Sequence, residues 1–293
     1  MHRNRAIVPA LYALAVLAAG PVCAGVPTED LDKIRAAAPS DAPARPKKRR
    51  KVLVFSKADG YVHESIPWGA AALRILGEKT GAYAATLSDD PAMFDRDALR
   101  KLDAVVFNNN CGNPVADPAR RKNLLEFVRG GRGLVGIHCA AHLDWPEYTE
   151  MLGAYSISHP WNAGSTVTIK LDEPDHPLVK CFGRSAFRHT DEIFVFKGFS
   201  RQKARVLLSL DTARTDMNKP GVSKDRDYPM SWIRDYGQGR VFYCALGHQK
   251  DVYWRPPILK HYLAGIQFAL GDLAADAAPA RSAQGPPNEK PAE

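Results

Sequence analysis

The sequence predicts an α/β protein built on a mostly parallel, doubly wound sheet, with an added β-rich part toward the C-terminus. Short apolar runs at 52–55, 104–107 and 134–137 are separated by stretches with apolar residues at helical spacing. Uninterrupted runs of that length suit strands buried on both faces. After His142 the rhythm changes: a short helix is expected at 148–152, and then Val167, Ile169 and Leu171 alternate, which suits a strand with one covered face.

Taken in order, residues 1–24 read as a secretory signal peptide. A weakly basic start (His2, Arg3, Arg5) precedes an apolar run at 6–20, and Val22-Cys23-Ala24 supplies small residues at the cleavage positions. No later apolar stretch is long enough to span a bilayer. The mature protein is therefore expected to be periplasmic or secreted. Residues 25–50, rich in Ala, Pro and charge, read as a leader or linker with a short helix at 28–38. The main domain is expected at 51–272, and 273–293 as a disordered tail.

Within the domain, 51–56 is the first strand and 66–80 a helix with Trp68, Ala71, Ala72, Ile75 and Leu76 on one face. A strand at 83–87 and a short helix at 95–101 lead to the strand 102–108. Asp117 is the expected cap of an amphipathic helix ending at Gly130-Gly131. The run 134–137 then ends in His138, followed at once by small residues, which suits a tight strand-to-helix turn. Strands at 165–171, within 187–196 and at 206–210 follow. A hairpin joins 228–235 to 239–246, and the helix 257–270 ends the domain.

The net charge is +8, yet residues 52–273 hold 28 Lys and Arg against 25 Asp and Glu. Much of the excess lies in Arg45 and the run 47–51, read as a solvated linker. With export, this near-neutral domain excludes nucleic acid as the partner. Cys111, Cys139, Cys181 and Cys244 remain after cleavage. No Cys-x-x-Cys is present, and Cys111 with Cys139, both just past strands, is the preferred pair.

Histidines carry the functional signal. His63 follows the first strand, His138 and His142 the central one, and His248 closes the apolar run 241–247; His159 precedes Pro160, and His189 precedes Asp191-Glu192. Ligands in open α/β sheets bind at the carboxyl ends of strands. His63, His138, Asp191, Glu192 and His248 are therefore the candidate catalytic groups. His138, Glu192 and His248 form a candidate metal set, for which a divalent ion such as zinc is suited. No His-Glu-x-x-His, Gly-x-Ser-x-Gly, Gly-x-Gly-x-x-Gly or P-loop pattern occurs, which excludes zincin, serine-hydrolase and nucleotide-binding readings.

The pattern resembles the ThuA-like (trehalose utilisation) family. The resemblance rests on 51–56 with His63, 104–109, 130–141, His176-Pro177, Asp191-Glu192-Ile193-Phe194 and the long segment 230–243 through Gly247-His248. It implies a flavodoxin-like three-layer sandwich similar to class I glutamine amidotransferases. There a Gly-x-Cys elbow carries the nucleophile; here Gly136-Ile137-His138 puts histidine in that place, with Cys139 one residue late. His248 matches the later histidine, but Lys250 stands where the triad acid would be. The resemblance thus implies a sugar-related role and carries no glutaminase activity across. Asn109, Trp145, His159 and Trp161 are the candidate sugar contacts, and Trp68, Tyr155 and Trp254 lie near the same loops. The leading expectation is a hydrolase or isomerase acting on a glycoside or oxidised disaccharide. The alternative is a non-catalytic carbohydrate-binding protein reusing the cleft.

Overall fold

The computed structural model describes residues 25–223 and 226–280; the expected signal peptide lies outside them. In chain order the strands are β1 (Lys51–Phe55), β2 (Ala84–Ser88), β3 (Ala104–Asn108), β4 (Cys111–Gly112), β5 (Gly133–Ile137), β6 (His142–Leu143), β7 (Tyr155–Trp161), β8 (Thr166–Leu171), β9 (Phe187–Thr190), β10 (Ile193–Lys197), β11 (Arg205–Leu210), β12 (Pro229–Tyr236) and β13 (Gly239–Cys244). The helices are α1 (Thr28–Ala37), α2 (Ile66–Thr80), α3 (Arg96–Leu99), α4 (Pro118–Arg129), α5 (Pro146–Leu152) and α6 (Pro256–Ala269).

One nine-stranded sheet runs β2-β1-β3-β5-β13-β12-β11-β8-β9. The first five strands are parallel and the last four join antiparallel. The parallel strands β3 and β5 are buried at every position, as their apolar runs require. On one side α2 packs with α1 and α6; on the other α4 packs with α3 and α5. The result is the expected three-layer α/β fold with extra C-terminal strands. The chain leaves β1 toward β2 on one side and β3 on the other, so the switch point falls between β1 and β3.

Local chemistry explains the element ends. The Asp117 side chain accepts the Ala119 N–H at 2.7 Å and Pro118 opens α4, a well-formed cap. The β7 strand was not expected. It pairs with β10 in a separate two-stranded sheet, with register shifts that break simple alternation.

Both flanks differ from expectation. The stretch 25–50 packs on the domain: Ile34 of α1 is fully buried, and Asp30 accepts the Trp68 indole N–H at 2.9 Å. Ala44 makes two backbone hydrogen bonds with the buried Gln267 amide. Most of the basic run is exposed, but two of its residues are tied to buried acids. Lys48 lies 2.7 Å from Asp103 and Arg50 2.5 Å from Asp272. The early part of the expected disordered tail is also ordered, because Arg205 pairs with Asp276 at 2.5 Å and donates to the Ala278 carbonyl.

His261 lies in the core on α6, with Nδ1 2.7 Å from the Leu178 carbonyl oxygen and Nε2 2.9 Å from Ser231 Oγ. Burial lowers its pKa to about 4. The unfolded chain takes up this proton near pH 6.5 while the folded chain resists until about pH 4. The His261 contribution is therefore full above pH 6.5 and is lost as pH falls toward 4. Replacing His261 by Asn should flatten the fall in stability over that window by up to ~3 kcal/mol. Urea unfolding at pH 7.0, 5.5 and 4.5 reads this directly; an unchanged pH slope would contradict it.

Candidate active site

Three strand ends of the parallel half deliver one imidazole each. His63 sits in the loop after β1, His138 immediately after β5, and His248 after β13. Glu192 enters from the antiparallel half, in the step between β9 and β10. One ligand atom from each of these four residues lies within 4.8 Å of the others.

Each position has a local cause. His138 has φ +50 and opens a short 3-10 turn, so the chain bends sharply at the strand end. Its carbonyl accepts the Tyr243 hydroxyl at 2.7 Å, and its ring stacks on Phe194 at 4.5 Å. His138 Nδ1 lies 2.7 Å from the Ala245 carbonyl oxygen. A carbonyl only accepts, so Nδ1 carries the hydrogen and Nε2 presents its lone pair to the cluster. The β1 loop is held by Ser65, whose hydroxyl donates to the Gly247 carbonyl at 2.9 Å. Gly247 has φ +152, and a methyl group there would press on His138 and on the Tyr253 hydroxyl.

The three rings stand nearly perpendicular to one another. Centroids are 4.9 Å apart for His63–His138, 5.0 Å for His63–His248 and 5.4 Å for His138–His248. Glu192 Oε1 lies 3.6 Å from His138 Nε2, and Oε2 lies 3.6 Å from His248 Nδ1 and 3.4 Å from His159 Nδ1. His63 Nδ1, His138 Nε2 and His248 Nδ1 are buried without a hydrogen-bond partner. Burial lowers the pKa of His63 to about 2 and that of His138 to about 4, so both rings are neutral at physiological pH. Burial also raises the Glu192 carboxyl above its ordinary range.

His63, Glu192 and His248 of the cluster form one wall of a cavity of about 780 Å³, a size suited to a small-molecule ligand. His159 lines it, as do Ser156, Ser158 and Asn162, and Tyr61 and Ile157 add apolar surface. None of these except His159 stood out in the sequence, because a lone Tyr or Ile in a polar loop carries no periodic signal.

Several candidates are placed elsewhere. Asp191, fully buried, turns away from its neighbour Glu192. Its oxygens accept the backbone N–H groups of Gly247 at 2.9 Å and Gln249 at 3.1 Å, and His189 lies 3.4 Å away. Its pKa is lowered: burial pushes it up, but His189, His138 and the Gly247 N–H outweigh that. Asn109 does not line the cavity. It is buried at φ +56, with its amide nitrogen 2.8 Å from the Tyr253 hydroxyl and 3.2 Å from both Ser65 Oγ and the Gly247 carbonyl. Trp145 packs on Tyr148, and Trp161 is buried with its indole N–H donating to the Asp216 carbonyl at 2.9 Å. Trp68 and Trp254 face α1, through Asp30 and Lys33, and Tyr155 donates to Asp144 at 3.2 Å. Lys250 pairs with Glu64 at 2.7 Å and lies over Trp68, so neither charge joins the cluster.

A family model described as trehalose utilisation (ThuA) matches residues 51–269. The chain belongs to the ThuA family. The family gives it a carbohydrate-related role. Among solved structures it is similar to a putative ThuA-like protein from Bacteroides uniformis, at 20% identity and a TM-score of 0.63 over 78% of this chain and 94% of that one. A putative ThuA-like protein from Parabacteroides merdae matches at 20% identity and a TM-score of 0.57, over 78% and 93%. A cytoplasmic protein from Salmonella typhimurium matches at 14% identity and a TM-score of 0.52, over 75% and 98%. These likenesses carry the ThuA fold. No curated protein matches the chain at a significant level.

All four cysteines in the described residues are free. Cys111 and Cys139 are nevertheless neighbours in the cavity wall. Hydrogen bonding from the Cys139 thiol pulls Cys111 down to about 6, and the same contact with burial pushes Cys139 up. Under mild oxidation a 111–139 link should therefore form before any link to Cys181 or Cys244. Peptide mass mapping checks this, and a first link to Cys181 or Cys244 would contradict it. For Asp191, truncation to Ala leaves the Gly247 and Gln249 N–H groups unpaired and should cost ~2 kcal/mol or more in urea unfolding; a loss below ~0.5 kcal/mol would contradict its role as the strap of the His248 loop.

Proposed function

We propose that this is an exported, metal-dependent sugar-processing enzyme, a hydrolase or isomerase acting on a glycoside or oxidised disaccharide. One observation carries the reading. Three buried imidazole nitrogens without partners converge with the Glu192 carboxylate on a single point. An unpaired buried polar atom costs ~1–3 kcal/mol, so three aimed together are expensive unless a ligand satisfies them.

The donor set fits a divalent ion such as zinc. Neutral imidazoles and a carboxylate are its ordinary ligands. The Ala245 carbonyl fixes the His138 tautomer so that Nε2 faces the cluster, the outer support that ligating histidines commonly have. A bound divalent ion supplies Lewis-acid polarisation of an oxygen on the substrate. The chain's own groups supply the rest. Ser156, Ser158 and Asn162 offer hydroxyl and amide contacts to sugar hydroxyls. His159, more than half exposed yet 3.4 Å from Glu192, links the cluster to solvent. Imidazole is the side chain best suited to passing a proton near neutral pH. His159 is thus the assigned proton carrier, with Glu192 as its partner. The carbohydrate role of the family and the small-molecule size of the cavity support the reading. Export rests on the signal-like segment at 1–24.

The test is to incubate purified protein with disaccharides, trehalose included, and with their keto derivatives, with and without a chelator. Product that forms only before chelation is the expected result. Saturable sugar binding without product would favour the carbohydrate-binding alternative. Wild-type protein should bind one zinc, and His138→Ala and His248→Ala should each lower zinc affinity at least 100-fold while leaving the protein folded. Elemental analysis and thermal melts read both. Full zinc occupancy in both variants would sink the metal assignment.

A further inference from the structure

Among the described residues, the large apolar side chains left exposed are Tyr61, Val62 and Ile157. Tyr61 and Ile157 both line the cavity, from two different elements, and Val62 is adjacent to Tyr61. Exposed apolar surface is ordinary when scattered, but here it gathers at one opening. Tyr61 is 62% exposed, although its ring makes an edge contact with His63 at a centroid distance of 4.7 Å.

The backbone under Tyr61 is fixed. Asp59 forms a parallel bridge with Gly112, and its N–H donates to the Cys111 carbonyl at 2.9 Å. Gly112 has φ +71, and a methyl group there would run into the Asp59 carbonyl, so the approach depends on glycine. The aromatic ring is therefore carried at the cavity mouth on a pinned loop. A loop whose backbone is already ordered loses little entropy when a ligand covers it.

We propose that Tyr61, with Ile157 beside the same opening, is the platform on which the apolar face of a pyranose ring stacks. This makes Tyr61 a specificity-determining residue for the sugar site and rests on the function proposed above. A pyranose ring has an apolar face of C–H groups and a rim of hydroxyls. The cavity offers matching chemistry: an aromatic face and an aliphatic side chain, with Ser156, Ser158, His159 and Asn162 for the rim. Stacking over Tyr61 brings the ring beside His63, the cluster member that Tyr61 touches. The tryptophans expected to stack from sequence are unsuited, since Trp145 and Trp161 are buried.

The experiment measures the binding of disaccharides and their keto derivatives by titration calorimetry to wild type, Tyr61→Ala, Tyr61→Phe and Ile157→Ala, with zinc content determined for each. For the sugars wild type binds, Tyr61→Ala should weaken affinity about 10-fold and Ile157→Ala about 3-fold, whereas Tyr61→Phe stays within about 2-fold. Zinc content should be the same in all four. For any sugar that is turned over, KM should rise with little change in kcat. Tyr61→Ala binding within 2-fold of wild type would overturn the platform while leaving the sugar function intact. Equal losses in Tyr61→Phe and Tyr61→Ala would assign the effect to the hydroxyl, and loss of zinc in Tyr61→Ala would assign it to support of His63; either result overturns stacking. A wild type that binds none of the sugars would overturn both the function and this inference.

Discussion

Both oxygens of the buried Asp191 carboxylate accept backbone N–H groups from the loop that carries His248, at 2.9 Å from Gly247 and 3.1 Å from Gln249. This one group joins the two halves of the molecule at the site. Asp191 and Glu192 come from the antiparallel extension, whereas His63, His138 and His248 come from the ends of parallel strands. The strap sets the His248 loop against the segment that carries Glu192, whose Oε2 lies 3.6 Å from His248 Nδ1. A buried carboxylate is costly unless its lone pairs are filled. Two backbone donors and the neighbouring His189 fill them, and the charge then acts as a positioning device.

The same loop closes a network in which backbone carbonyls are used as fixed points. The Gly247 carbonyl takes Ser65 from the β1 loop and the Tyr253 hydroxyl, and Asn109 lies within reach of all three. The Ala245 carbonyl takes the His138 ring. These bonds orient the His138 ring and fix the loops that carry His63 and His248, while one nitrogen of each imidazole is left unpaired. Positioning is thus satisfied locally, and the remaining unsatisfied capacity is gathered at one point. A site whose ligand groups are held by a second layer of hydrogen bonds is preorganised, and the cost of that order is met during folding.

Much of this was legible in the sequence, for physical reasons. Strands buried on both faces must be apolar throughout, so β1, β3 and β5 announced themselves. Histidines that follow such runs, directly or in the next loop, sit at the carboxyl edge, which is why the sequence groups His63, His138 and His248. Asp191 and Glu192 were harder to separate. In an extended segment neighbouring side chains point to opposite sides, so one acid faces the cavity and the other the interior, and only the tertiary fold says which. Trp145 and Trp161 were assigned to sugar contact on chemistry alone; whether a tryptophan is buried depends on packing that local pattern does not record. Tyr61 and Ile157 escaped notice for the converse reason, because a single apolar residue in a loop looks like any other. The β7 strand was hidden by Pro160 and by its irregular register with β10.

The account turns on whether the four converging groups hold one ion. A crystal structure of the protein grown with zinc, with anomalous data at the zinc edge, tests this most directly. The expected map has one strong peak bonded to His63 Nδ1, His138 Nε2, His248 Nδ1 and a Glu192 oxygen, at ~2.0–2.2 Å from each. Water molecules hydrogen-bonded to those nitrogens, with any zinc peak lying elsewhere on the protein, would contradict it.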